Sequence, residues 1–180
     1  AKYKTLETFT TNTTSNPKRN TNVRLAAEAL NGTIVQPGEE FSFNQVIGPR
    51  TEEKGYQAAA AYNSGEVVQE VGGGVCQIAT TLYDASLYAE LEITQRQNHS
   101  MSVSYVKPSM DAAIAGTYKD IKVTNPYDTP IYIEAGTSGK TLTFTIYGKE
   151  TRPANRTIQY VSETLSVTDP GETVVQDASL

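Results

Sequence analysis

The spacing of apolar residues along this chain changes period several times, and each change marks an element. Residues 1–16 are polar and Thr-rich, with partial alternation around Tyr3, Leu6 and Phe9. That pattern predicts an edge strand running into a loop. Residues 17–32 turn helical, because Val23, Ala26, Ala27 and Leu30 share one face. Asn20 or Thr21 is read as the cap of this helix, and Gly32 as its left-handed closing residue. TIVQPG and EEFSFNQVIG read as short extended pieces divided by Pro37 and Gly38. The run QAAAAY ending at Tyr62 fits a helical turn or a buried strand. GEVVQEV is a strand that stops at Gly72, Gly73 and Gly74.

From Cys76 to Glu90 the period is helical again, with Ile78, Leu82, Ala85 and Ala89 a turn apart. Period-two stretches within residues 91–106 put His99 on or beside a strand. Beyond Pro108 the signals are mostly β: a strand at 121–125, a turn at 126–130, a strand at 131–134, and a hairpin through Gly136–Lys140 onto Leu142, Phe144 and Ile146. These elements predict an α+β domain, a mostly antiparallel sheet packed with a few helices. The helix beginning at Cys76 is expected to lie against the sheet that carries His99. Residues 1–156 are read as the domain and residues 157–180, extended and acidic, as a linker and the start of a further β module.

Composition narrows the partners. The chain has 180 residues, 38% hydrophobic and 19% charged, enough for one domain with a substantial core. A net charge of -5 argues against a nucleic-acid binder, since phosphate contacts need concentrated positive charge. No apolar run approaches the roughly 20 residues needed to cross a bilayer, so any membrane attachment is expected outside this sequence. One Cys and one His cannot build a structural zinc site, so neither a metal nor a cofactor is expected.

The chemistry concentrates at Val-Gly-Gly-Gly-Val-Cys76. Three glycines remove side chains from a turn and let another chain or a ligand approach the backbone. A helix starting there leaves free N–H groups and a positive dipole end beside the sulfur, which favour thiolate over thiol. A lone Cys is most often a small buried hydrophobe, but a packing residue needs no polyglycine loop. Cys76 is therefore the candidate nucleophile. N–H groups around Gly74 and Gln77 are candidates to hold an oxyanion, with Gly72 and Gly73 bordering the substrate. His99 is the sole imidazole available as base. Asn98, Ser100 and Asp111 are the candidates to orient it, and the sequence does not choose among them. Arg96 is read as a fork for a substrate carboxylate. Glu66 and Glu70 flank the glycines and are read as an exposed strand face. Cysteine at a helix start followed by His on a strand is the chain order of papain-like and NlpC/P60-type enzymes.

GGGVCQIATTLYDA, RQNHS, MDAAIAG and DIKVTNPYDTPIYI, with FSFNQVIGPRTEEKGYQAA upstream, resemble the VanW domain family over about residues 41–147. The segment SETLSVTDPGETVVQDASL resembles the opening of a G5-type domain. The VanW resemblance implies peptidoglycan L,D-transpeptidation. A Cys attacks a stem tetrapeptide, releases the terminal D-Ala, and passes the acyl group to the amine of a neighbouring stem. Carried onto this chain, Cys76 is the nucleophile and His99 the base. The partners are peptidoglycan stem peptides, and the place of action is extracytoplasmic, at the cell wall or the outer face of the membrane. The resemblance leads one to expect Ser at position 79 and Gly at 109, where this chain has Ala79 and Ser109. YkuD-type L,D-transpeptidases place His before Cys, so shared activity would be convergent. Two alternatives stand beside this reading: a cysteine peptidase or amidase on the same polymer, and a non-catalytic wall-binding module.

Overall fold

The structure, a computed structural model, describes residues 4–63 and 66–168. In chain order its elements are β1 (Lys4–Asn12), α1 (Pro17–Leu30), β2 (Thr33–Val35), β3 (Glu40–Ser42), α2 (Phe43–Ile47), β4 (Ala58–Asn63) and β5 (Glu66–Val71). There follow α3 (Val75–Tyr88), β6 (Glu92–Gln95), β7 (Lys122–Thr124), β8 (Ile131–Ser138) and β9 (Thr141–Gly148). Every named strand pairing is antiparallel, in sheets ordered β1-β9-β8-β2, β3-β7-β6 and β4-β5. This is the expected α+β class.

The core forms where the alternation of β9 meets the stripes of two helices. Leu142, Phe144 and Ile146 are fully buried, and α1 and α3 pack on this sheet and on each other. Val23, Ala26, Ala27 and Leu30 come from α1, and Ile78, Ala79, Leu82 and Ala85 from α3. Burying each large apolar side chain contributes roughly 1.5–3 kcal/mol, so this layer dominates the domain's stability.

Local signals explain where the boundaries fall. Helix α1 begins at Pro17, with Asn16 as its cap accepting from the Arg19 N–H at 3.1 Å. The cap is therefore not Asn20 or Thr21, because a proline at the first helical position already lacks the N–H that would be orphaned. FNQVI is a helix and not an extended piece. Ser42 accepts from the Gln45 N–H at 3.2 Å, and Asp120 accepts from the Ser42 hydroxyl at 2.5 Å and the Asn44 N–H at 3.0 Å. The alanine run resolves as strand β4, paired with β5 in a hairpin.

The hairpin delivers the chain to the three glycines, and α1 holds it there. Asn22, fully buried, donates to the carbonyls of Gln57 (2.8 Å) and Gly73 (2.9 Å) and accepts from the Gln57 N–H (2.8 Å). Residues 149–168 lack regular structure, and Arg152 in this stretch donates to the Tyr88 carbonyl at 2.8 Å, at the end of α3. Most of the segment read as a further β module lies outside the described residues; its described part, up to 168, contains no strand.

Candidate active site

Gly72 and Gly74 hold φ of +89° and +103°, a backbone that glycine adopts without strain, and so turn the chain from β5 into α3. The space left by their missing side chains is filled by the protein itself. A Cβ on Gly73 would lie 2.4 Å from the Ala59 carbonyl oxygen, and one on Gly74 2.5 Å from Arg19 Nη1. One on Gly72 would lie 3.0 Å from Arg50 Cβ. The glycines thus admit a strand backbone and two arginines, where the sequence suggested room for a ligand. Their own backbone still borders an open groove of about 780 Å³ that also contains Cys76 and His99.

Cys76 is the second residue of α3, half-buried, and its thiol points to the Ile114 carbonyl at 3.6 Å. His99 lies beyond the end of β6 in an irregular segment, beside a strand and not on one. Its Nδ1 is 2.6 Å from Asp111 Oδ2, and its backbone N–H donates to the same oxygen at 2.7 Å. With Nδ1 committed to Asp111, Nε2 is the nitrogen left for Cys76. Burial is the largest single influence on His99 and pushes its pKa down. The hydrogen bond and charge of Cys76, then those of Asp111, outweigh it, and the net shift is upward. Burial likewise raises the Asp111 carboxyl, but the hydrogen bonds and charge of His99 and the charge of Arg96 hold it below the usual carboxylate range.

Among the orienting candidates, Asp111 is the one in contact with the imidazole. Asn98 donates to the His99 carbonyl at 2.9 Å, and Ser100 is exposed on the groove wall. Arg96 is turned away from the groove. It donates to the Asp111 carbonyl at 2.8 Å, to Asp111 Oδ1 and the Ser109 carbonyl at 3.3 Å each, and stacks on Tyr83 at 5.2 Å. The reading of Arg96 as a substrate fork is thus replaced: its guanidinium holds Asp111. Gln77 also differs from expectation, since its N–H donates to Gly74 at 3.1 Å. Its buried side chain accepts from Arg19 at 2.6 Å and donates to Thr11 Oγ1 and the Asn12 carbonyl, both at 2.9 Å. Ser109 adopts φ +69°, the left-handed backbone a glycine would suit.

Thr80, one turn beyond Cys76, carries no signal in the sequence that marks its role. Its hydroxyl accepts from the Ala112 N–H at 2.9 Å and donates to the Ala112 carbonyl at 3.0 Å, pinning the segment after Asp111 to α3. Among the described residues no cluster of His, Cys, Asp and Glu is arranged to hold a metal ion.

Two turns beyond Cys76, Asp84 is fully buried with both carboxyl oxygens lacking a partner among the described residues. Burial, then the negative charge of Asp111, raise its pKa from 3.8 to about 8, against the opposing charge of Arg96. The carboxyl is therefore protonated in the folded protein at neutral pH but ionised in the unfolded chain. This favours folding least at high pH: no penalty exists below about 4, it grows as pH rises, and it is complete above about 8. Asp84→Asn should accordingly stabilise the fold by on the order of 3–5 kcal/mol at about pH 8 and by little at about pH 4. Thermal denaturation at both values checks this, and a pH-independent gain would contradict it.

A family model described as VanW like protein matches residues 18–147. The uncharacterized protein YoaR of Bacillus subtilis is 42% identical over 136 residues, covering 76% of this chain and 45% of YoaR. The vancomycin B-type resistance protein VanW of Enterococcus faecalis is 29% identical over 153 residues, covering 79% of this chain and 55% of that protein. The chain spans about half the length of these curated relatives. No solved structure matches it.

Proposed function

The chain belongs to the VanW family, and from that membership together with the geometry around Cys76 we propose that it is a cysteine acyltransferase, an L,D-transpeptidase of peptidoglycan stem peptides. One observation carries the reading: a Cys at the start of a helix interacts with an imidazole whose other nitrogen is held by a carboxylate. That is the arrangement of an activated nucleophile, its base and the base's orienter, recognised by roles rather than by chain order.

In the proposed reaction the Cys76 thiolate attacks the carbonyl before the terminal residue of the donor stem, and His99 holds the thiol proton. The carbonyl electron pair moves to oxygen, returns, and expels the terminal residue's nitrogen, which takes the proton from His99. The resulting thioester is attacked by an amine of a neighbouring stem. His99 removes the proton of that amine and returns it to the departing sulfur. Asp111 keeps the imidazole in the tautomer that these transfers need. On this reading the protein acts outside the cytoplasmic membrane.

The test is mass spectrometry of the whole protein incubated with a disaccharide-tetrapeptide, with and without an acceptor amine. An adduct on Cys76 that disappears into a cross-linked product supports transpeptidation. Decay of the adduct to free tripeptide at the same rate with or without acceptor would instead identify a peptidase. If no adduct forms, the acyltransferase reading fails.

A further inference from the structure

The groove beside Cys76 carries a charge opposite to that of the chain. Among the described residues, Arg19, Arg50 and Lys119 line it against the one exposed carboxylate of Glu70, in a protein of net charge -5. Arg19 arrives from the first turn of α1 and Arg50 from the loop after α2, so two distant parts of the chain converge on the glycine loop. Neither side chain takes part in an ion pair among the described residues, whereas Arg24, Arg96, Arg152 and Arg156 all do.

The way Arg19 is held is informative. Gln77 accepts one of its N–H groups at 2.6 Å, and Gln77 is itself fixed by Thr11 and Asn12. An amide oxygen orients a guanidinium without neutralising it, and the other donors of the fork stay available to the groove. Gly74 makes room for this placement, since any side chain there would meet Arg19. Arg19, Cys76 and Tyr105 line the same groove. An oriented, half-buried, uncompensated guanidinium beside a nucleophile is suited to an anion, and its planar fork matches a carboxylate.

We propose that Arg19 and Arg50 form a carboxylate-binding subsite for the free C-terminus of the donor peptide, one residue beyond the carbonyl that Cys76 attacks. The inference rests on the reading of Cys76 as the nucleophile. Its consequence is exo-specificity: the enzyme takes peptides whose scissile bond precedes a single terminal residue with a free carboxylate. It discriminates against the corresponding carboxamide and against chains extended by a further residue.

Two measurements on the whole protein test this without requiring turnover. The first compares alkylation of Cys76 by iodoacetate and by iodoacetamide, reagents that differ in carrying a carboxylate or a neutral amide. The ratio of the two rates should fall by roughly tenfold or more in the Arg19→Gln, Arg50→Gln double variant, the scale of a lost charge-assisted hydrogen bond. The second uses the unmutated protein, so it does not depend on how the variant folds. N-acetyl-D-alanine should protect Cys76 from iodoacetamide, and N-acetyl-D-alaninamide should not. An unchanged ratio, or equal protection by acid and amide, overturns the subsite. A protein that shows this selectivity yet forms no adduct with the tetrapeptide would keep the subsite and sink the transpeptidase reading, so the two failures are told apart.

Discussion

Cys76→Ala is expected to abolish both release of the terminal D-Ala and cross-link formation while leaving the fold intact. Cys76 is the sole cysteine of the chain, so no second thiol can substitute and the thioester cannot form. The loss should reach the detection limit, at least about 10⁴-fold in kcat, because nucleophile and base act as a unit. Stability should change by no more than about 1 kcal/mol, since the side chain is half-buried and its hydrogen bond to Ile114 is long. Turnover assays on purified stem peptides, paired with thermal denaturation, separate the two effects. Retention of near-normal turnover in Cys76→Ala would exclude the cysteine mechanism. Wild-type protein that binds sacculi without turning over any stem peptide would instead favour a wall-binding module.

The candidate nucleophile is legible in the sequence because its signals are local. Three glycines and then Ile78, Leu82 and Ala85 at helical spacing locate a helix start at Cys76 without reference to the rest of the chain. The sheet was legible for the same reason, since Leu142, Phe144 and Ile146 alternate and are all buried. Asp111 does not stand out in the sequence, because residues 107–114 follow no period and the alternation before them suggests only a strand near His99. Their path is set by contacts between distant positions: Ala113 donates to the Gln97 carbonyl at 2.8 Å, and Arg96 and His99 both reach Asp111. Arg96 was misread for a related reason. An arginine near a suspected base suits a substrate fork or a structural carboxylate equally, and only the fold shows which carboxylate it meets. Arg19 lay beyond reach because it joins the glycine loop through the packing of α1, far earlier in the chain. The α2 helix did carry a signal, since Ser42 with Gln45 three residues later is a capping pattern, but five residues are too few to show helical periodicity.

Asp111→Asn is expected to lower kcat by about 10²–10⁴-fold with little change in KM, the effect of turning a positioned imidazole into the wrong tautomer. The carboxylate accepts from the backbone and ring of His99 and from Arg96, and an amide in its place offers one acceptor where two oxygens were used. The pH dependence distinguishes this from simple loss of packing. His99 is raised above 6.5, in part by the charge of Asp111, so its protonated form persists to higher pH than in a free histidine. A raised histidine stabilises the fold below its unfolded pKa and loses that contribution as pH rises through the folded value. Asp111 is lowered from 3.8, so its contribution is present above that value and fades as pH falls through the folded one. The pair therefore contributes most between about 4 and 6.5, and the stability lost in Asp111→Asn should peak in that window. Asp84 shifts the other way: relieved of a neighbouring negative charge, it ionises more readily, which offsets part of the loss above neutrality. NMR titration of the single His99 should report a lower pKa in the variant than in the wild type. An unmoved His99 titration with kcat still reduced would mean that Asp111 acts by holding the loop and not through the imidazole.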